Sequence, residues 1–115
     1  MASTQTKKHT ASHKFARIAP RTARLVADQI RGKGIEDALA TLEFSPRRGA
    51  WFIKSVLRSA IANAEEANLD VGRLFVSESR VDEGPTIKRF QPKDRGRSHP
   101  IMKRTSHIHV SVDVR

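Results

Sequence analysis

At 115 residues the chain has room for one domain and one modest core. Its 22 bases against 12 acids leave a net charge of +10, and the pI is near 11.1, a balance that favours a phosphate-rich partner. No run approaches the roughly 18 apolar residues of a membrane span, and the absence of cysteine excludes disulfides and thiolate zinc sites.

Residues 1–12, MASTQTKKHTAS, lack the apolar stretch of a secretory signal. They are expected to be a flexible basic tail ahead of a single domain over residues 13–115. HKFARI (13–18) predicts an edge strand. Pro20 suits a first helical position, and Ala23, Val26, Ala27 and Ile30 fall on one face of the helix that follows. Arg31 and Gly32 are its stop signals. Ile35, Ala38, Leu39 and Leu42 repeat the spacing and predict a second, shorter helix.

Ser45 and Pro46 predict the start of a third helix, the serine capping and the proline in first position. Its apolar stripe runs Ile53, Val56, Leu57, Ala60, Ile61, Ala64 and Ala67. A second stripe, Arg47, Trp51, Lys54 and Arg58, has two readings. It is either a solvated basic face with one half-buried indole, or a phosphate-contacting face with the ring stacked on a base or sugar.

From Leu74 the period changes, and LFVSESRV reads as a strand. At the C-terminus Ser106, Ile108, Val110, Val112 and Val114 alternate with Thr105, His107, His109, Ser111 and Asp113, as in a half-buried antiparallel strand. Between these strands residues 84–106 hold seven bases and one acid, with few large apolar side chains. The segment cannot bury a core of its own and is expected to project as an arm. Asp94-Arg95-Gly96 is its turn candidate, and Pro92 and Pro100 are expected to limit pairing near the tip. From Gly84 to that turn, at about 3.3 Å per residue, the arm would reach on the order of 30 Å. The fold class is α+β: three helices packed on a small antiparallel sheet with a long protruding basic β-hairpin.

Charge is segregated along the chain. Residues 1–24 carry six bases and no acids, residues 25–83 eight bases and ten acids, and residues 84–115 eight bases and two acids. A near-neutral body thus presents two cationic extensions. One tryptophan, five phenylalanines and no tyrosine supply no aromatic cluster for reading single strands. Phosphate and shape contacts by Arg and Lys remain, and they suit a large folded RNA.

Two other classes compete. An architectural DNA-binding protein can use a basic β-arm with a proline wedge, but this chain has one arm and no evident dimer-forming face. An enzyme would need a site. His107 and His109, two apart on one strand, could hold a metal, yet no paired carboxylate lies nearby in sequence. His99 has nothing to orient it as a base, and Glu65-Glu66 and Asp82-Glu83 diverge in any regular structure. No catalytic residue, metal site or cofactor is assigned.

RLVADQIRGK (24–33), SAIANAE (59–65), VDEGP (81–85), KR (88–89), GR (96–97) and KRTSHI (103–108) resemble, in order, the bacterial ribosomal protein L22 (uL22) family. The resemblance spans roughly residues 13–115. It implies a structural, non-enzymatic constituent of the cytoplasmic large (50S) ribosomal subunit, monomeric within the ribosome and not membrane-bound. Its partners would be 23S rRNA, other large-subunit proteins and the nascent polypeptide. The body would sit near the tunnel exit and the hairpin tip would line the exit tunnel. On this reading Lys88, Arg89, Arg97, Lys103 and Arg104 contact RNA along the arm. Lys14, Arg17, Arg21 and Arg24 in the basic first segment, together with His107, complete the expected rRNA-binding set. Lys93, Asp94, Arg95 and Gly96 fall at the tunnel-lining tip. There the chain departs from the family's usual proline-arginine-alanine-x-glycine-arginine-alanine, reading Pro92-Lys93-Asp94-Arg95-Gly96-Arg97-Ser98, and Pro100 is a further departure.

Overall fold

The computed structural model describes residues 9–93 and 97–114. The expected tail residues 1–8 and the expected turn Asp94-Arg95-Gly96 lie outside them. Helix α1 (Pro20–Ile30) begins at its proline and buries Ala23, Val26, Ala27 and Ile30 on one stripe. It stops because Arg31 turns extended and Gly32 takes φ 81°, a conformation that glycine adopts without a Cβ clash. Gly32 and Lys33 then exchange backbone hydrogen bonds of 2.9 Å with Val76, so the end of the helix is sewn to the sheet.

Helix α2 (Ile35–Glu43) buries Ile35, Ala38 and Leu42, and Glu36 and Asp37 in its first turn suit the positive end of the helix dipole. Helix α3 (Arg48–Glu66) is the longest element and buries Ile53, Val56, Leu57, Ala60 and Ala64 of its expected stripe. Ile61 is half-buried and Ala67 exposed, at the fraying end. The start differs from expectation: the helix begins at Arg48 and Ser45 does not cap it. The Ser45 hydroxyl instead accepts the Arg47 amide at 3.3 Å, a local turn that competes with capping.

Strands β1 (His9–Ala16), β2 (Leu74–Glu83) and β5 (Ser106–Val114) form an antiparallel sheet in the order β1-β5-β2, so the C-terminal strand is central. β1 is an edge strand, as expected, but it starts four residues before HKFARI and ends two residues before it does. Residues 9–12, expected in the tail, pair with residues 109–112 of β5, while Arg17 and Ile18 lie beyond the strand. The alternating face of β5 supplies the pairing that draws them in.

A register shift between Val76 and Glu78 makes Ser77 a bulge. The bulge resets parity, so Leu74, Val76, Ser79 and Val81 all face inward and Glu78 and Arg80 stay out of the core. The core fills the space between this inner face, with Ile108, Val110 and Val112, and the apolar stripes of α1 and α3.

Strands β3 (Ile87–Lys93) and β4 (Arg97–Lys103) form a separate two-stranded antiparallel ribbon, in register from Ile87 opposite Lys103 to Lys93 opposite Arg97. Pro92 and Pro100 do not end the pairing; they stand opposite Ser98 and Phe90. In a ribbon with two strands both are edges, so a residue without an N–H can face outward at no cost to the ladder. The ribbon lengthens the molecule to 66 Å. It also raises the radius of gyration to 17.6 Å, against about 13 Å for a compact domain of ~100 residues.

Candidate nucleic-acid interface

A basic site lies where the ribbon meets the body. A crevice there is lined by four cations, Arg17, Arg48, Lys103 and Arg104, over Ile18, Ala19 and Met102, with Thr22 at its side and no carboxylate among the described residues. Each cation arrives by a different route. Arg17 follows the last residue of β1, and its loop is pinned because the Ser106 hydroxyl donates to the Ile18 carbonyl at 2.6 Å. Arg48 is the first residue of α3, and its guanidinium lies 5.7 Å from the centre of the Phe52 ring. Lys103 ends β4, and Arg104 occupies the short link to β5.

Residues at two helix N-termini also line the crevice. Ala19 flanks α1 and Arg48 opens α3, and neither helix has a side-chain cap. Uncapped amides and the positive ends of two helix dipoles add to four like charges that no carboxylate among the described lining residues offsets. Such a crevice is built to hold anionic oxygens.

The ribbon's root is held rigidly beside it. The Thr105 hydroxyl donates to the Pro85 carbonyl at 2.6 Å, and the Gly84 amide donates to the Thr105 carbonyl at 2.9 Å. Gly84 is required by closeness: a Cβ there would stand 2.5 Å from the Thr105 hydroxyl oxygen.

The other expected RNA contacts divide. Lys88 and Arg89 are exposed on β3, and Arg97 opens β4 opposite Lys93. Lys14 and Arg21 are exposed at the end of β1 and on the first turn of α1. Arg24 is partly diverted, since its Nε donates to the Val81 carbonyl at 3.1 Å and so docks α1 on β2. The Nδ1 of His107 accepts the Phe15 amide at 3.1 Å. Of the expected tip, Lys93 ends β3 and Asp94, Arg95 and Gly96 lie outside the described residues.

On α3 the basic stripe is altered by its neighbours. Lys54 donates to Glu43 of α2, and that hydrogen bond and charge, with a smaller contribution from Arg58, hold the Glu43 carboxyl below its ordinary value. Arg47 and Arg58 stay exposed, and Trp51 is 66% exposed with its ring against Phe52. The indole is thus available for contact rather than half-buried.

His109 is engaged at both nitrogens, by the Ser12 hydroxyl at 2.7 Å and Asp82 at 3.3 Å, and braces the three strands across the outer face. Among the described residues no group of three potential ligands could hold a metal with either histidine.

Of the residues that line the crevice, the sequence had singled out Arg17, Lys103 and Arg104 but not Arg48 or Thr22. The available signal was position: Arg48 follows the Ser45-Pro46 turn, where a side chain sits at a helix start.

The family model described as ribosomal protein L22p/L17e matches residues 11–113. Over 106 residues the chain is 55% identical to large ribosomal subunit protein uL22 of Ligilactobacillus salivarius, covering 91% of this chain and 92% of that protein. It is 56% identical over 104 residues to the same protein of Lacticaseibacillus casei, covering 90% and 89%. With that of Desulfosudis oleivorans it shares 50% over 101 residues, covering 88% and 89%.

Proposed function

Because the chain belongs to the ribosomal protein L22p/L17e family, whose members are structural and non-enzymatic components of the large ribosomal subunit, we propose that it binds 23S rRNA through the crevice and the ribbon together. In this reading the crevice clamps phosphates at the arm's root, and Lys88, Arg89 and Arg97 meet further phosphates along its length. The body sits near the tunnel exit among other large-subunit proteins. Residues 93–96 reach the tunnel wall and face the nascent polypeptide. An isolated two-stranded ribbon is marginal in water, so RNA packed on both sides supplies what the ribbon lacks.

The observation that carries the reading is the crevice: Arg17, Arg48, Lys103 and Arg104 converge with two uncapped helix N-termini and no carboxylate among the described residues. The test is the binding of a 23S rRNA transcript over a salt series, with Arg17, Arg48, Lys103 and Arg104 replaced by alanine. Affinity is expected to fall, and the log–log salt slope to flatten by up to about one unit for each phosphate no longer neutralised. An unchanged slope would show that phosphates are met elsewhere.

A further inference from the structure

Phe15 is in the wrong place for a core residue. Its φ is 60°, in the left-handed region where a bulky side chain is a genuine outlier. It sits in the irregular stretch between His13 and Ala16, where the pairing of β1 with β5 slips. The slip turns the ring outward, leaving it 60% exposed. Glycine would fill this backbone conformation with less strain, and no apolar burial compensates for the ring's exposure.

The ring is nevertheless held. The Phe15 amide donates to His107 Nδ1 at 3.1 Å, and the phenyl and imidazole rings stand perpendicular with centroids 4.9 Å apart. Since Nδ1 accepts, the neutral imidazole carries its proton on Nε2, which leaves a hydrogen-bond donor beside an exposed aromatic ring. Phe15 is next to Lys14 and two residues from Arg17, and His107 is three residues from Arg104. Two of the crevice cations thus lie in the same chain segments as the two rings.

An exposed ring held against His107, in the chain segment that also carries Lys14 and Arg17, suits the group that phosphates carry with them. We propose that Phe15 and His107 form a stacking platform for an unpaired nucleobase of the RNA whose phosphates enter the crevice. The phenyl ring takes the base face, and His107 Nε2 donates to an acceptor on the base or its ribose. This rests on the RNA-binding reading and adds a base contact to the phosphate contacts. A basic peptide is disfavoured as the occupant, because Lys14 and Arg17 in the same segment would repel it.

The test uses the full chain and a 23S rRNA transcript, titrated over a salt series with wild type, Phe15→Leu, Phe15→Gly and Phe15→Trp, with thermal melting of each protein. Phe15→Leu and Phe15→Gly are expected to bind about tenfold or more weakly, the scale of one base–aromatic stack. Their salt slope should equal that of wild type, since every phosphate contact remains in place. Phe15→Trp should retain affinity, and Phe15→Gly should melt no lower than wild type.

Wild-type affinity in Phe15→Leu and Phe15→Gly would overturn the platform and leave the phosphate reading standing. Weaker binding with a flattened slope would also overturn it, by showing that the ring only positions the crevice. Failure of wild type to bind the transcript would sink the RNA reading and this inference with it.

Discussion

Ser79 shows how a single side chain can be tolerated without being satisfied. It is buried on the inner face of β2, and its hydroxyl has no hydrogen-bond partner among the described residues. The backbone carbonyl of the same residue does have one, accepting from Arg31 Nη2 at 2.5 Å. Leaving a buried hydroxyl unpaired costs about 1–3 kcal/mol. Ser79→Ala should therefore stabilise the fold by about 1 kcal/mol and raise the melting temperature by about 4 °C. A lower melting temperature in calorimetry would mean that the oxygen fills space the core needs.

At the scale of elements, the decisive contact is the closure between β2 and β5 where the ribbon leaves the body. Gly84 and Thr105 stand so close that a methyl group on the first would run into the hydroxyl of the second. Gly84→Ala should destabilise by about 1–3 kcal/mol through this overlap. Thr105→Ala removes the hydrogen bond to the Pro85 carbonyl and should cost about 1 kcal/mol. The double variant should be more stable than the sum predicts, by about 1 kcal/mol, because the second change removes the clash created by the first. Simple additivity in a denaturant double-mutant cycle would show that the backbone yields instead. The same closure explains why the arm's direction is fixed: the ribbon departs from a hydrogen-bonded root, not from a free loop.

For the whole molecule, the question is whether the 66 Å long shape is one cooperative unit. The core draws on α1, α2, α3 and the β1-β5-β2 sheet, whereas β3 and β4 pair with each other. The amide of Gly84 already reaches the carbonyl of Thr105, so the ends of the ribbon meet without it. Deleting residues 86–102 should leave a body that unfolds cooperatively with a melting temperature within about 5 °C of wild type, a shift on the scale of 1 kcal/mol, while 23S rRNA affinity falls. Disappearance of the cooperative transition would show that the ribbon supports the core.

Much of this was legible in the residues. The period of Ala23, Val26, Ala27 and Ile30 located α1, and the alternation after Thr105 located β5, because local periodicity is what burial on one face demands. Charge segregation marked the arm, and six short blocks in order identified the family. What the sequence could not show is what depends on contacts between distant segments. The bulge at Ser77 follows from keeping Glu78 and Arg80 out of a core that only the assembled layers define. The pairing of residues 9–12 depends on the open edge of β5, about a hundred positions away. Arg17, Arg48 and the Lys103-Arg104 pair come from three separate parts of the chain, and neither their spacing nor their composition predicts a shared crevice. Sequence determined which elements form and that the surplus charge is positive and gathered in the two terminal segments. Only packing decided where those charges converge, since convergence is set by how helices and sheet close over the core.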